Sequence, residues 1–154
     1  MSDNTIHDCG EANCGHNQYT PRGKHLVVDI HAHMNVAAAE ALIRAAIPNL
    51  PKGLPFSSDA SDKVNGKMFA QIGSRLNGVS ERIEDMDRLG VDVQAISPNP
   101  GQYYYFSPED LGRDLAQLIN NNITEAVESH PGRLVGMGTV PLQNVDMAIA
   151  EMKR

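Results

Sequence analysis

Leu26-Val27-Val28-Asp29-Ile30-His31-Ala32-His33 is the stretch on which the fold turns. Its β-branched, mostly apolar composition is that of a strand covered on both faces, as the strands of parallel sheets are. Side chains alternate along a strand, so the pattern predicts that Asp29, His31 and His33 point the same way. Two imidazoles one alternation apart sit roughly 6–7 Å apart at Cα, close enough for both rings to reach one divalent ion. A strand also holds such a pair at lower ordering cost than a loop would. A His-x-His also arises by chance, or as a hydrogen-bonded histidine of a core. Position separates the readings: this pair closes the first strand of a βα series, the end at which parallel α/β folds and β/α barrels carry their sites.

Upstream, residues 1–24 are rich in Asn, Gly, Asp and His, lack any apolar period, and end in Pro21-Arg22-Gly23-Lys24; they read as a flexible extension to a domain over 25–154. Within it, His7, Cys9, Cys14 and His16 are zinc-type donors, but four ligands in ten residues leave little chain to wrap a tetrahedron, and the tail reading is preferred.

Downstream, Ala37 to Ile47 has helical composition and stops at Pro48, and the stretch to Gly78 reads as a long loop with a short helix around Lys67 to Leu76. Ser80 is placed to cap a helix carrying Ile83, Met86 and Leu89, with Gly90 to end it, and Val91 to Ile96 reads as a second strand. A loop with Tyr103, Tyr104, Tyr105 and Phe106 follows, as a candidate aromatic wall near the histidines. Ser107 and Pro108 are read as cap and first turn of a helix whose apolar face is Leu111, Leu115, Leu118, Ile119, Ile123, Ala126 and Val127. His130, at its end, reads as structural. Arg133 to Val140 reads as a third strand, and Val145, Ala148, Ile149 and Met152 as the apolar face of a third amphipathic helix. Strand and helix alternate three times, the mark of a parallel sheet with crossover helices, so the class is α/β. The last helix meets no stop signal before Arg154, which leads us to expect the front part of something longer.

Composition narrows the partners. With 154 residues and 41% hydrophobic content the chain can bury one domain's core. A net charge of -6 without a dense basic run argues against nucleic acid. No apolar run approaches the ~20 residues of a membrane span. The N-terminus shows no secretory signal, and the two cysteines lie too close together for a disulfide scaffold, so cytoplasm is the expected location.

Val28-Asp29-Ile30-His31-Ala32-His33 resembles the opening strand of the amidohydrolase superfamily. Arg82-Ile83-Glu84-Asp85-Met86-Asp87-Arg88-Leu89-Gly90-Val91-Asp92-Val93-Gln94 is similar to the stretch that follows it in the aminocarboxymuconate-semialdehyde decarboxylase-like branch. His130-Pro131-Gly132-Arg133 through Val140-Pro141-Leu142-Gln143 resembles that branch's third-strand region. The resemblance implies the N-terminal part of a metal-dependent (β/α)8 TIM barrel, with about three βα units present. It implies Zn2+ or another divalent metal held by His31 and His33, with the remaining ligands beyond residue 154. It further implies a non-oxidative decarboxylase acting on an unsaturated or aromatic small-molecule carboxylic acid. The alternatives are a related hydrolase or lactonase, or an inactive remnant that only binds a partner or metal. Asp29 would orient an imidazole or serve as a satisfied buried carboxylate. Arg75 and Arg82 neighbour the position of the branch's substrate-binding arginine, yet Arg82, on a helix face, reads as a solvated charge. A partial barrel alone should be inactive and should self-associate as a homo-oligomer or aggregate through its open edges.

Overall fold

The computed structural model describes residues 25–50 and 58–154. The extension over 1–24, with its His7, Cys9, Cys14 and His16, lies outside the described residues. The chain runs β1 (Val28–Met34), α1 (Ala37–Ala46), α2 (Asp59–Asn77), α3 (Ser80–Leu89), β2 (Val93–Pro98), a 3-10 turn (Pro100–Gln102), α4 (Glu109–Ser129), β3 (Leu134–Gly136) and α5 (Val145–Lys153). The three strands form one parallel sheet in the order β1-β2-β3, as the βα alternation requires.

One face of this sheet is covered. Ala32 and Met34 of β1, Ile96 of β2 and Leu134 of β3 meet Ala39 and Ile43 of α1 and Leu115, Ile119, Ile123 and Ala126 of α4 in a single apolar cluster. Burying each large aliphatic side chain contributes about 1.5–3 kcal/mol. The stripe on α4 is therefore the main reason that helix docks where it does. Gly136 suits the same contact: a Cβ there would stand 2.8 Å from Cγ2 of Ile123.

Several local expectations are corrected. The long loop before Gly78 contains instead a 19-residue helix, α2, capped by Ser58, whose Oγ accepts from the N–H of Ser61. Its residues are mostly exposed, so no apolar period announces it in the sequence. Ser80 is the first residue of α3 rather than its cap, and Val79 at the N-cap makes no side-chain bond. Gly90 ends α3 in the left-handed region at φ 70° as expected. Ser107 does not cap α4, which starts at Glu109 with Pro108 at the N-cap; its hydroxyl is taken by Nε2 of Gln143. The third strand is only Leu134–Gly136. The apolar face foreseen on α5 is largely exposed, Val145 at 72% and Met152 at 76%. What α5 buries is Glu151, which accepts from Asn120 Nδ2 of α4 and from Arg154.

Candidate metal centre

The register between β1 and β2 changes within the His-x-His strand. Asp29 pairs with Gln94 and Ala32 with Ile96, so three steps on β1 match two on β2. This is a β-bulge, and it leaves Ile30 and His31 together opposite Ala95. An extra residue flips the parity of everything before it. Asp29 therefore shares the helix-covered face with Ala32 and Met34, while His31 and His33 share the open one. The expected alignment of Asp29 with both histidines is thereby corrected. Its carboxylate accepts from the backbone N–H of His31 at 3.0 Å and from Gln94 Nε2 at 2.7 Å, with no imidazole among these partners.

The imidazoles themselves converge. Nε2 of His31 and Nε2 of His33 are 3.2 Å apart, with ring centroids 5.1 Å apart and planes at 89°. His33 Nδ1 lies 2.8 Å from Ser97 Oγ and 3.2 Å from the carbonyl of Pro98. A carbonyl only accepts, and Ser97 Oγ itself donates to the carbonyl of Ala32 at 3.1 Å. The proton of His33 therefore belongs on Nδ1, leaving a lone pair on Nε2. Two nitrogens bound to one tetrahedral ion at 2.0–2.1 Å would stand about 3.3–3.4 Å apart, close to the 3.2 Å between these two. The Nδ1–H bond to a hydroxyl and a carbonyl is also the support usual for a ligating histidine. Among the described residues no group of three or more His, Cys, Asp and Glu side chains comes together, so this stretch of chain offers two nitrogen donors.

Behind the pair, Arg82 is not the solvated charge foreseen. It is 8% exposed, its Nη1 donating to Gln94 Oε1 at 2.7 Å and its Nη2 to the carbonyls of His33 and Arg75 at 2.7 and 3.0 Å. Burial pushes its pKa down, opposed by the nearby charge of Asp29. Arg75 instead pairs with Asp85 at 3.1 Å near the surface. The cleft bordered by Asp29, Arg82, Asp85, Met86 and Gln94 holds about 190 Å3, below the roughly 300–1,000 Å3 usual for ligand pockets.

The aromatic loop divides in two. Tyr104 is buried at φ 49° and donates its hydroxyl to Glu40 of α1 at 2.9 Å, and burial pushes the phenol pKa well up. Tyr103 and Tyr105 stack with centroids 5.4 Å apart, Tyr105 being exposed. His130 contacts its neighbour Ser129 and caps the end of α4, in keeping with a structural role. Ser97, Gln94 and the buried state of Arg82 were missed in the sequence because each acquires its place only through strand pairing.

No protein-family model matches the chain. It is 33% identical over 98 residues to 2-amino-3-carboxymuconate-6-semialdehyde decarboxylase of Dictyostelium discoideum, a match spanning 64% of this chain and 27% of that protein. It is 25% identical over 137 residues to the enzyme of the same name from Caenorhabditis elegans, over 86% of this chain and 33% of that protein. It is also 25% identical over 97 residues to gamma-resorcylate decarboxylase of a Polaromonas strain, over 62% of this chain and 30% of that protein. The chain is homologous to these decarboxylases. It spans about a third or less of their length, consistent with an N-terminal portion.

Solved structures agree on the fold. The 5-carboxyvanillate decarboxylase of Novosphingobium aromaticivorans, crystallised with manganese, matches at TM-score 0.67 and 21% identity over 88% of this chain and 40% of that one. The dihydroxybenzoic acid decarboxylase of Polaromonas, also with manganese, matches at 0.63 and 20% identity over 84% of this chain and 34% of that one. The expected α/β class, as part of a TIM barrel, is borne out. No helix among the described residues is long and apolar enough to cross a membrane.

Proposed function

We propose that this chain is an N-terminal part of a divalent-metal-dependent, non-oxidative decarboxylase acting on an unsaturated or aromatic carboxylic acid, with His31 and His33 as two of the metal's ligands. The observation that carries the reading is the convergence of the two Nε2 atoms at 3.2 Å while His33 Nδ1 is tied back to Ser97 and Pro98. A hydrogen bond between two neutral rings could produce the same spacing. The covered and open faces of the sheet favour the metal, because the chain has placed both rings at the C-terminal end of β1, on the side away from the core.

A divalent ion at this point would supply Lewis-acid polarisation of the substrate. Zinc is the proposed metal, since imidazole nitrogens suit a borderline ion. His31 and His33 act as neutral nitrogen donors rather than proton carriers. Ser97 and the Pro98 carbonyl fix the tautomer and the tilt of His33. The stacked Tyr103 and Tyr105 offer a flat aromatic surface to a planar acid, a substrate shape suggested by the homologues, which are named for aminocarboxymuconate semialdehyde and gamma-resorcylate.

The test is elemental analysis of the purified chain after incubation with zinc or manganese and removal of excess. Retained metal in the unaltered chain and its loss in a His31→Ala, His33→Ala double variant are expected. Equal metal in both proteins would remove the pair from the site.

A further inference from the structure

A buried cation needs a reason. Arg82 has been taken out of water, one of its N–H groups, Nε, has no hydrogen-bond partner, and burial opposes its charge. A well-packed apolar side chain at such a position is often neutral or stabilising by comparison, so stability alone does not account for the guanidinium. Its bonds indicate what it does instead. Nη2 holds the carbonyl of His33, and Nη1 holds Oε1 of Gln94. The other end of that amide, Nε2, donates to Oδ2 of Asp29, and Oδ1 of Asp29 accepts from the backbone N–H of His31. Three side chains from α3, β2 and β1 thus form one unbroken relay that starts at the backbone of one histidine and ends at the backbone of the other. The relay lies across the bulge, where the ladder between Asp29 and Ala32 is interrupted.

A bulge leaves part of the strand's backbone without regular ladder partners, and a freed segment can rotate. Rotation of either residue would swing a ring whose nitrogen must be held within about 0.5 Å of its place beside a shared ion. We infer that Arg82, Gln94 and Asp29 act as a positioning clamp, which sets the bulge of β1 from the helix-covered side so that the rings of His31 and His33 meet on the open side. Arg82 and Asp29 hold the histidine backbone, and Gln94 ties the two together. The inference rests on the reading of the pair as metal ligands.

The test uses the full chain and Co2+ alone as the spectroscopic probe, titrated well below the unfolding temperature of each variant. Arg82→Lys keeps the charge but cannot fork between Gln94 and the His33 carbonyl. Asp29→Ala leaves every hydrogen bond of the guanidinium in place and removes the acceptors of the His31 N–H and of Gln94 Nε2. Each is expected to weaken Co2+ binding about 10–100-fold, the usual effect of losing a support of a metal ligand. The ring-nitrogen NMR shifts of His33 in the metal-free protein should also move from the fixed Nδ1–H form toward a mixture of tautomers. A role confined to stability would lower the unfolding temperature and leave both readouts unchanged in the folded protein, which would overturn the clamp. If Arg82→Lys fails to fold, Asp29→Ala decides by itself: unaltered Co2+ affinity and unaltered shifts refute the inference. If the His31→Ala, His33→Ala variant binds Co2+ as well as the unaltered chain, the ligand reading has failed. The metal-free NMR shifts then still judge the clamp.

Discussion

The two faces of β1 differ in kind. On one, Ala32 and Met34 are buried in the apolar cluster with residues of α1 and α4. On the other, Ile30 is 77% exposed and the two histidines stand together without a covering layer. Burial holds the strand from one side, so the opposite side can carry groups chosen for chemistry rather than packing. The bulge between them is the device that lets Asp29 serve the first face and His31 the second.

The largest contrast should come from paired truncations. Ile96→Ala removes a side chain with no exposed surface and should cost about 2–5 kcal/mol. Ile30→Ala on the open face should stay within about 0.5 kcal/mol. Urea denaturation of both variants measures the difference, and similar midpoints would mean that the open face is covered in solution. Ser97→Ala probes the histidine side, because it deletes the oxygen that receives His33 Nδ1. Metal affinity measured by titration should fall roughly 10–100-fold while the denaturation midpoint moves little. A smaller effect is expected at Gly90, where φ is 70° and nothing stands within 4 Å of an added Cβ. Gly90→Ala should therefore cost only the left-handed backbone, about 1–2 kcal/mol, read from the same urea curves. It lies outside both faces and calibrates a purely backbone effect.

The pH dependence at Glu151 should be the smallest. Its pKa is lowered, first by the bond from Arg154 and opposed by burial, with Asn120 assisting. A carboxylate whose folded pKa lies below its unfolded value stabilises the fold above the unfolded pKa, and that stability is lost as pH falls through the folded one. Unfolding temperatures of the unaltered chain and of Glu151→Gln should therefore differ at pH 7 and converge as the pH is lowered below 4.5. A constant gap between the two curves would assign the effect to packing of α5 on α4.

Where apolar periodicity is strong, the sequence is readable. Leu115, Ile119, Ile123 and Ala126 announce α4 and its buried face. Gly90 announces the end of α3. Helix α2 escapes the same reading because it buries none of its residues, so its pattern carries no stripe. The stripe on α5 misleads for the opposite reason: Val145 and Met152 have the right spacing, yet the helix rests on Asn120 through Glu151. At the site, a His-x-His at the end of a first strand is visible in one dimension, whereas Ser97 and Gln94 become partners of His33 and Asp29 only when β2 lies beside β1.

The sequence by itself determined the α/β order, the strand that bears His31 and His33, and the helix that covers it, because those follow from periodicities of two and 3.6 along one chain. Only the tertiary structure decided that Asp29 turns away from the histidines and that Arg82 is drawn inside. A bulge changes the parity of a strand according to how its neighbour pairs with it, and a charge is buried according to which partners the packed elements bring to it. Strand β2 pairs with β1 some 65 residues away, and the His33 carbonyl reaches Arg82 across 49, so local pattern carries no trace of either.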